Sequence, residues 1–338
     1  MIKRVREWVN ACMEESEANG TCMVPRLRKA RDRLRSAKEA GIVCEVVPGA
    51  YARPNYWNGL SFQQKLLQRM QALQIQHPNW VFAGPSAAFV HGLQVSRHYL
   101  TRLCVGTSRK THLRSNEMWQ AIIVTGADVL EKDGLRITAL ERTLGDSLRT
   151  MAFPSGLAVA DSAVCLTGRE PCGLAEDMSR ACGRMSGLRK ARAVLALSDG
   201  RAESGGESVA RAMMLELGIM APDLQRWYDD PLIARQRYRI DFAWDVVGGS
   251  ILGELDGYEK YTNAQMTGGA SVTQIIQSEH RRQSHIETLP DVLRFIRFGY
   301  ADVMNERVFL QLLLASGVPR VFACDDKVLA AGGVLRIR

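Results

Sequence analysis

The clearest period-two pattern of apolar residues lies in the last third of the chain. Ile240, Phe242 and Trp244 alternate with Arg239 and Asp241, which is typical of a β-strand whose two faces meet different surroundings. The glycine pair at 248–249 predicts a tight turn, because glycine readily adopts the left-handed backbone of hairpin turns. Residues 250–255 then predict the returning strand of a β-hairpin.

Helical and strand patterns flank this hairpin. Residues 204–218 begin with a serine and end with a glycine around apolar residues one turn apart, which predicts a helix. A late strand is predicted at 292–298 and a following helix at 308–314. Together these patterns predict an α/β protein whose residues 201–320 form a mixed sheet flanked by helices.

The first 55 residues predict two amphipathic helices followed by a hairpin. In the second helix, four apolar residues at spacings of three and four share one face and basic residues cover the rest. Helix, basic helix and hairpin is the order of a winged-helix DNA-binding unit. The predicted DNA contacts are Arg26, Arg28, Arg31, Arg33 and Arg35. An ordinary α+β unit with a solvated basic helix is the alternative.

The remaining residues divide into a middle domain and a tail. Residues 56–200 predict a mixed α+β domain, and 321–338 a C-terminal tail. No acidic residue occurs between 97 and 114, so Arg109 and Lys110 are candidates for contacting phosphate groups. A solvated basic loop explains the same pattern equally well.

Composition narrows the classes of function. The 338 residues carry a net charge of +8, which favours a polyanionic partner such as duplex DNA. The eight cysteines form no C-x-x-C pair, and the six histidines add no ligand spacing, so structural zinc is not expected. No apolar run approaches the ~20 residues that cross a bilayer. A cytoplasmic protein without a membrane partner is therefore expected.

Carboxylates gather at one end of the predicted hairpin. Pairing its strands brings Asp241 near Glu254, and Asp256 shares a face with Glu254 because strand side chains alternate. Clustered carboxylates repel unless a cation lies between them, which favours Mg²⁺ or Mn²⁺. Ordinary surface carboxylates are the alternative. Glu207 either pairs with Arg211 one helical turn away or faces this cluster.

Four segments resemble the PD-(D/E)XK nuclease superfamily, in its branch related to very-short-patch-repair endonucleases. They lie within residues 204–320 and comprise Glu207-Ser-x-x-Arg211, Asp241-Phe-x-Trp244, Glu254-Leu-Asp256-Gly257 and Glu279-His-Arg-Arg282. The resemblance implies a restriction-endonuclease-like fold in which Asp241 and Glu254 bind magnesium and Glu207 assists.

The chain departs from this family at one catalytic position. Asp256 stands where the family has a lysine that helps to activate water. Lys260 either replaces that lysine or follows the strand into solvent, and Arg282 is a candidate for contacting the phosphate. The resemblance therefore supports the predicted fold more strongly than the predicted activity.

The N-terminal unit (residues 1–55) and the middle domain (residues 56–200) together resemble AbiEi-type antitoxins and transcriptional regulators. The motifs that carry the resemblance are Val46-Val-Pro-Gly-Ala-Tyr51, Gly84-x-Ser-Ala-Ala-x-x-His91-Gly-Leu93 and Ile137-Thr-x-x-Glu-Arg142-Thr-Leu-x-Asp146. Such proteins repress their own promoter or neutralise a toxin, which implies a cognate toxin as a possible partner. The sequence thus predicts a DNA-binding protein with a metal-dependent endonuclease-like domain. The alternative is a non-catalytic regulator or antitoxin that uses the nuclease-like fold as a scaffold.

Overall fold

The computed structural model describes residues 2–108, 113–256 and 281–321. Its internal contacts separate the chain into two compact units. The first unit comprises Met1–Gly92 and Arg97–Thr143, and the second comprises Leu93–Ser96 and the residues from 144 onward. The sequence instead placed boundaries after residues 55, 200 and 320, and that functional division stays a prediction.

The first unit begins with the predicted order of helix, basic helix and hairpin. Its elements are α1 (Ile2–Ala18), α2 (Arg28–Glu39), β1 (Cys44–Val47) and β2 (Ala50–Ala52). The two strands are antiparallel. Val9, Met13, Leu34, Val43 and Tyr51 form a small buried core among these elements. The apolar face of the amphipathic helix α2 thus packs against apolar residues of α1 and of the hairpin.

A five-stranded mixed sheet follows in the first unit. Its strand order is β5–β4–β3–β7–β6, and β3 pairs in parallel with β7 and antiparallel with β4. The elements are α3 (Pro54–Gly59), α4 (Phe62–Gln76), β3 (Val81–Phe82), α5 (Gly84–His91), β4 (Leu103–Thr107), β5 (Trp119–Ile123), β6 (Val129–Lys132) and β7 (Leu135–Thr138). These helices and this mixed sheet agree with the mixed α+β character predicted for residues 56–200.

Helices open the second unit. They are α6 (Leu140–Leu148), which contains the boundary between the units, α7 (Phe153–Thr167), α8 (Pro171–Cys182), α9 (Leu188–Ala196) and α10 (Gly205–Glu216). A buried ion pair joins α7 to α10, with the Arg211 guanidinium 2.7 Å from a carboxylate oxygen of Asp161. Helix α10 confirms the helix predicted at 204–218. Arg211 on this helix is bound to Asp161 of α7.

A four-stranded sheet completes the second unit, with strand order β11–β10–β9–β8. Strand β10 runs parallel to β11 and antiparallel to β9, and β8 runs antiparallel to β9. The elements are β8 (Asp223–Asp229), β9 (Arg237–Val246), β10 (Gly249–Asp256), α11 (described over 281–287), β11 (Val292–Gly299), α12 (Tyr300–Val303) and α13 (Glu306–Ala315). The predicted hairpin, late strand and following helix are confirmed.

Apolar residues cover both faces of this sheet. One cluster joins Phe242 and Trp244 to Met214 of α10 and Phe309 of α13. A second cluster joins other sheet residues to Ile286 of α11. The chain is a mixed α/β protein, as predicted. Within the described residues, no helix has the length and apolar character needed to cross a bilayer.

Candidate functional site

Two of the four predicted catalytic carboxylates, Asp241 and Glu254, line a cleft in the second unit. This carboxylate cleft has a volume of about 340 Å³. Its lining residues are Glu203, Gln225, Trp227, Arg237, Tyr238, Arg239, Asp241, Glu254 and Arg282. Strands β8, β9 and β10 and helix α11 thus all contribute side chains to one concave surface.

The register of the four-stranded sheet brings four polar residues into one row. Gln225 on β8 lies opposite Asp241 on β9, because the residue pairs on either side of them are matched. Asp241 lies opposite Glu254 on β10 by continuation of the hairpin register. Glu254 pairs directly with Arg297 on β11. The predicted proximity of Asp241 and Glu254 is therefore confirmed.

A single amide nitrogen links the carboxylates of Asp241 and Glu207. Nε2 of Gln225 donates to Oδ1 of Asp241 at 3.2 Å and to Oε2 of Glu207 at 2.9 Å. The other oxygen of Asp241 accepts a hydrogen bond from the backbone N–H of Leu255 at 3.0 Å. Gln225 and Leu255 therefore hold Asp241 in place and bring the helical carboxylate of Glu207 next to it.

Gln225 has an unusual backbone conformation. Its φ is 55°, in the left-handed region that residues other than glycine rarely occupy. Such a conformation costs on the order of 1–3 kcal/mol and concentrates at functional sites. Gln225 is not identifiable from the sequence, because only Leu224 is buried in β8 and the strand therefore has no apolar periodicity. The aromatic pair at 227–228 is the one local signal that could have indicated this strand.

Glu207 is fixed in the first turn of α10. Ser204 caps the helix by accepting from the backbone N–H of Glu207, and its hydroxyl donates to Oε1 of Glu207 at 2.8 Å. A Cβ on Gly206 would lie 3.0 Å from a methyl group of Leu255, so glycine permits the close approach of α10 to β10. Burial raises the pKa of Glu207, and the charge of Asp241 adds to this rise.

The position of Glu207 decides between two predictions. Arg211 donates to Asp161 and to the backbone carbonyl of Leu197. Glu207 instead contacts Gln225 and lies near Asp241. The predicted surface ion pair between Glu207 and Arg211 is therefore wrong, and the alternative that Glu207 faces the carboxylates is confirmed.

Glu254 is buried and paired with an arginine. The guanidinium of Arg282 lies 2.5 Å from Oε1 and 3.0 Å from Oε2 of Glu254. It also donates to the carbonyl of Arg239 at 2.8 Å and lies 5.7 Å from the ring centre of Tyr238. Burial raises the pKa of Glu254 despite the opposing charge of Arg282. Arg282 thus partly neutralises a carboxylate in the cleft.

Asp256 is paired with a second arginine. Arg297 lies 2.7 Å from Oδ1 of Asp256 and 3.9 Å from Oε2 of Glu254. Asp256, which only the resemblance places at a lysine position, thus forms an ion pair with a residue on β11. A role for Arg297 cannot be predicted from the sequence, since only the parallel register of β10 and β11 shows that it faces Glu254.

The chemistry of these side chains suits a hard cation, but their arrangement does not form a complete site. Glu207, Asp241 and Glu254 offer only oxygen ligands, as Mg²⁺ and Mn²⁺ prefer. Across the described ranges, no three His, Cys, Asp or Glu side chains are arranged to hold a metal ion. Arg282 and Arg297 instead provide the positive charge beside Glu254 and Asp256. The metal site formed by Asp241, Glu254 and Asp256 stays a prediction.

The predicted DNA contacts between residues 26 and 35 lie in the first unit. Arg26, Arg31 and Arg35 line a basic groove of about 1400 Å³ between α2, the β1–β2 hairpin, the end of α4 and β6–β7. Lys38 and Arg136 line the same groove. Lys38 lies on α2 and forms an ion pair with Glu45. Arg136 comes from β7, and its proximity depends on packing between distant segments, which the sequence does not show.

Two of the predicted contacts on α2 behave differently from the others. Arg28 is exposed but does not line the basic groove. Arg33 is half-buried, and its guanidinium lies 5.2 Å from the ring centre of Trp8. Arg33 therefore packs against α1. Arg109, Lys110 and Lys260 lie outside the described residues, so their assigned roles stay predictions.

Comparison with known proteins gives a partial relationship. No protein-family model matches the chain. Two proteins of Mycobacterium tuberculosis, from strains CDC 1551 / Oshkosh and ATCC 25618 / H37Rv, are each 33% identical to it over 123 residues. Both are described only as uncharacterized proteins. The match covers 35% of this chain and 43% of each relative, so it spans less than half of the relatives' length.

Proposed function

We propose that the chain is a DNA-binding protein whose second unit cleaves phosphodiester bonds with the help of a divalent cation. The observation that carries this proposal is the convergence of Glu207, Asp241 and Glu254 from α10, β9 and β10. The order of helix, antiparallel hairpin and parallel strand, with apolar layers on both faces of the sheet, supports the resemblance to PD-(D/E)XK nucleases.

In the proposed reaction, Asp241 and Glu254 would hold Mg²⁺ or Mn²⁺. A bound divalent ion of this kind lowers the pKa of a coordinated water and offsets negative charge on the phosphate. Glu207 has a raised pKa, so it is suited to accept a proton from the attacking water. Arg282 lies within the cleft and would bind a phosphate oxygen after releasing Glu254. Gln225 would keep Glu207 and Asp241 together throughout.

The first unit supports the DNA-binding part of the proposal. The order of α1, α2 and the β1–β2 hairpin supports a winged-helix-like unit. Arg31 and Arg35 are exposed and line the basic groove of about 1400 Å³. Exposed arginines along one groove are suited to phosphate groups of duplex DNA, which supply most of the affinity in non-specific binding.

Specific contacts in the cleft also favour a second candidate, a non-catalytic regulator or antitoxin. Arg282 contacts both carboxylate oxygens of Glu254, and Arg297 pairs with Asp256 at the family's lysine position. A sheet that compensates its own charges in this way would serve as a scaffold or as a surface for a cognate toxin. The two candidates share DNA binding by the first unit and differ only in catalysis.

Nicking of supercoiled plasmid separates the two candidates. The full chain is incubated with plasmid in Mg²⁺, in Mn²⁺ and in EDTA. The nuclease proposal expects nicking with either metal, none in EDTA, and loss of nicking in Asp241→Asn. Asp245→Asn is the matched control, because Asp245 lies on the same strand and pairs with Arg226 without lining the cleft. Wild-type protein that never nicks would support the regulator instead.

A further inference from the structure

Trp227 is an exposed aromatic residue at the wall of the carboxylate cleft. It lies on β8, the edge strand of the four-stranded sheet, and 52% of its surface is exposed. Its side chain lines the same cleft as Asp241 and Glu254. A tryptophan buries a large apolar area when it is packed, so this degree of exposure at a candidate site indicates a surface for a ligand.

Two arginines lie over the indole ring. The guanidinium groups of Arg237 and Arg239 each lie 5.4 Å from the ring centre of Trp227, a distance typical of cation–π contacts. Arg239 is also the cross-strand partner of Trp227. Both arginines also form exposed ion pairs, Arg237 with Asp229 at 3.0 Å and Arg239 with Glu203 at 2.5 Å. A base that stacks on a ring face covered by a guanidinium would displace it, and exposed ion pairs oppose such a displacement only weakly.

The surroundings of the ring indicate the chemistry of that ligand. Together with Arg282, the two flanking arginines give the cleft three guanidinium groups. An apolar peptide would gain little from these cations, whereas a nucleotide offers both a flat ring and a phosphate. Stacking of a base on an aromatic side chain contributes about 1–3 kcal/mol per base, and arginine binds phosphate through paired hydrogen bonds.

We propose that Trp227 is a stacking platform for one unpaired nucleobase of the bound nucleic acid. This inference rests on the proposed function, because it places the stacked base beside the phosphate that the carboxylate cleft would receive. A base within a duplex is already stacked on its neighbours and has to leave the helix before it reaches such a site. The preferred substrate is therefore single-stranded or locally unpaired at this position.

Binding to an abasic oligonucleotide isolates the stacking. Affinities of the full chain are measured in EDTA for a single-stranded oligothymidylate and for an abasic strand of the same length. Both strands carry the same phosphates, so contacts of the first unit contribute equally. Wild-type protein is expected to bind the strand with bases about 5- to 150-fold more tightly, as stacking of one base implies. Trp227→Ala should bind the two strands equally.

Two variants control this measurement. Trp227→Phe keeps an aromatic ring and should retain most of the preference for bases. Tyr300→Ala removes another exposed aromatic side chain of the second unit that does not line the cleft, and it should keep the full preference. An undiminished preference in Trp227→Ala, or equal binding of both strands by wild-type protein, would overturn the proposal. If wild-type protein binds both strands equally and still nicks plasmid, the ligand of Trp227 is something other than a base.

The stacking and the cleavage can fail separately. Asp241→Asn should keep the preference for bases while it loses nicking, because Asp241 is held by Gln225 and Leu255 rather than by the indole. A wild-type protein that prefers bases but never nicks would contradict the nuclease function and support the stacking. Nicking without any preference for bases would contradict the stacking alone.

Discussion

The carboxylate cleft and the basic groove differ in how their charges are compensated. In the cleft, Glu254 pairs with Arg282, Asp256 with Arg297, and Glu207 accepts from Gln225. On α2, Arg28, Arg31 and Arg35 are exposed, and no ion pair is found for them within the described ranges. A ligand of the cleft therefore has to displace internal partners, whereas a polyanion can bind these three arginines of α2 without breaking an ion pair.

This difference predicts that loss of a buried arginine harms folding and loss of an exposed one does not. The largest effect is expected at Arg211, because Arg211→Ala leaves the buried carboxylate of Asp161 without its partner. Breaking a buried ion pair lowers the free energy of unfolding by about 3–5 kcal/mol. Arg31→Ala is the control and should change it by less than about 0.5 kcal/mol. Urea unfolding of both variants tests this, and equal losses would contradict the comparison.

A smaller loss of stability is expected at Arg282. The pair with Glu254 is less buried than that of Arg211, since the Arg282 side chain is 24% exposed. Arg282→Ala should therefore lower the free energy of unfolding by about 2–3 kcal/mol, below the range for fully buried pairs. A double-mutant cycle with Glu254→Gln measures the coupling between the two residues directly. A coupling energy near zero would mean that groups other than Arg282 compensate the negative charge of Glu254.

The exposed arginines should affect DNA binding and leave stability unchanged. Replacing Arg28, Arg31 and Arg35 with alanine should flatten the dependence of log affinity on log salt by about one unit for each phosphate that is no longer bound. Arg33→Ala is the matched control, because Arg33 packs on Trp8 and should leave the slope unchanged. Titrations of duplex DNA at several salt concentrations measure the slope. The same slope in the triple variant and in wild type would show that α2 does not contact phosphates.

The smallest expected effect is on the pH dependence of stability. The pKa values of Glu207 and Glu254 are raised above their ordinary 4.5. At these two carboxyls the folded state therefore binds more protons than the unfolded state just above that pH, so their contribution to stability rises as pH falls from 7 towards 5. Burial lowers the pKa values of His77 and His91, whose contribution falls over the same range. Asp245, with a pKa lowered to about 2, acts in that direction only below about pH 4. Thermal melts of wild type and Glu207→Gln isolate the carboxyl, since the stability of wild type relative to the variant should rise as pH falls.

The sequence predicted the elements of the site better than the contacts within it. The hairpin, α10, β11 and α13 have clear apolar periodicity, so their positions were predictable. Strand β8 lies at the edge of the sheet with a single buried residue, so periodicity could not reveal it. Gln225, Arg282 and Arg297 contact the carboxylates because of strand register and helix packing, neither of which a single sequence specifies. The contact between Arg33 and Trp8 has the same origin.

The central claim is that the carboxylate cleft binds a divalent cation, and melting temperature with and without metal tests it most directly. A ligand that binds only the folded state stabilises it by about 2.7 kcal/mol at a hundredfold excess over Kd. Wild type and Asp245→Asn should therefore melt at a higher temperature in Mg²⁺ or Mn²⁺ than in EDTA, whereas Asp241→Asn should show no rise. An unchanged wild-type melting temperature, or an equal rise in Asp241→Asn, would contradict the account.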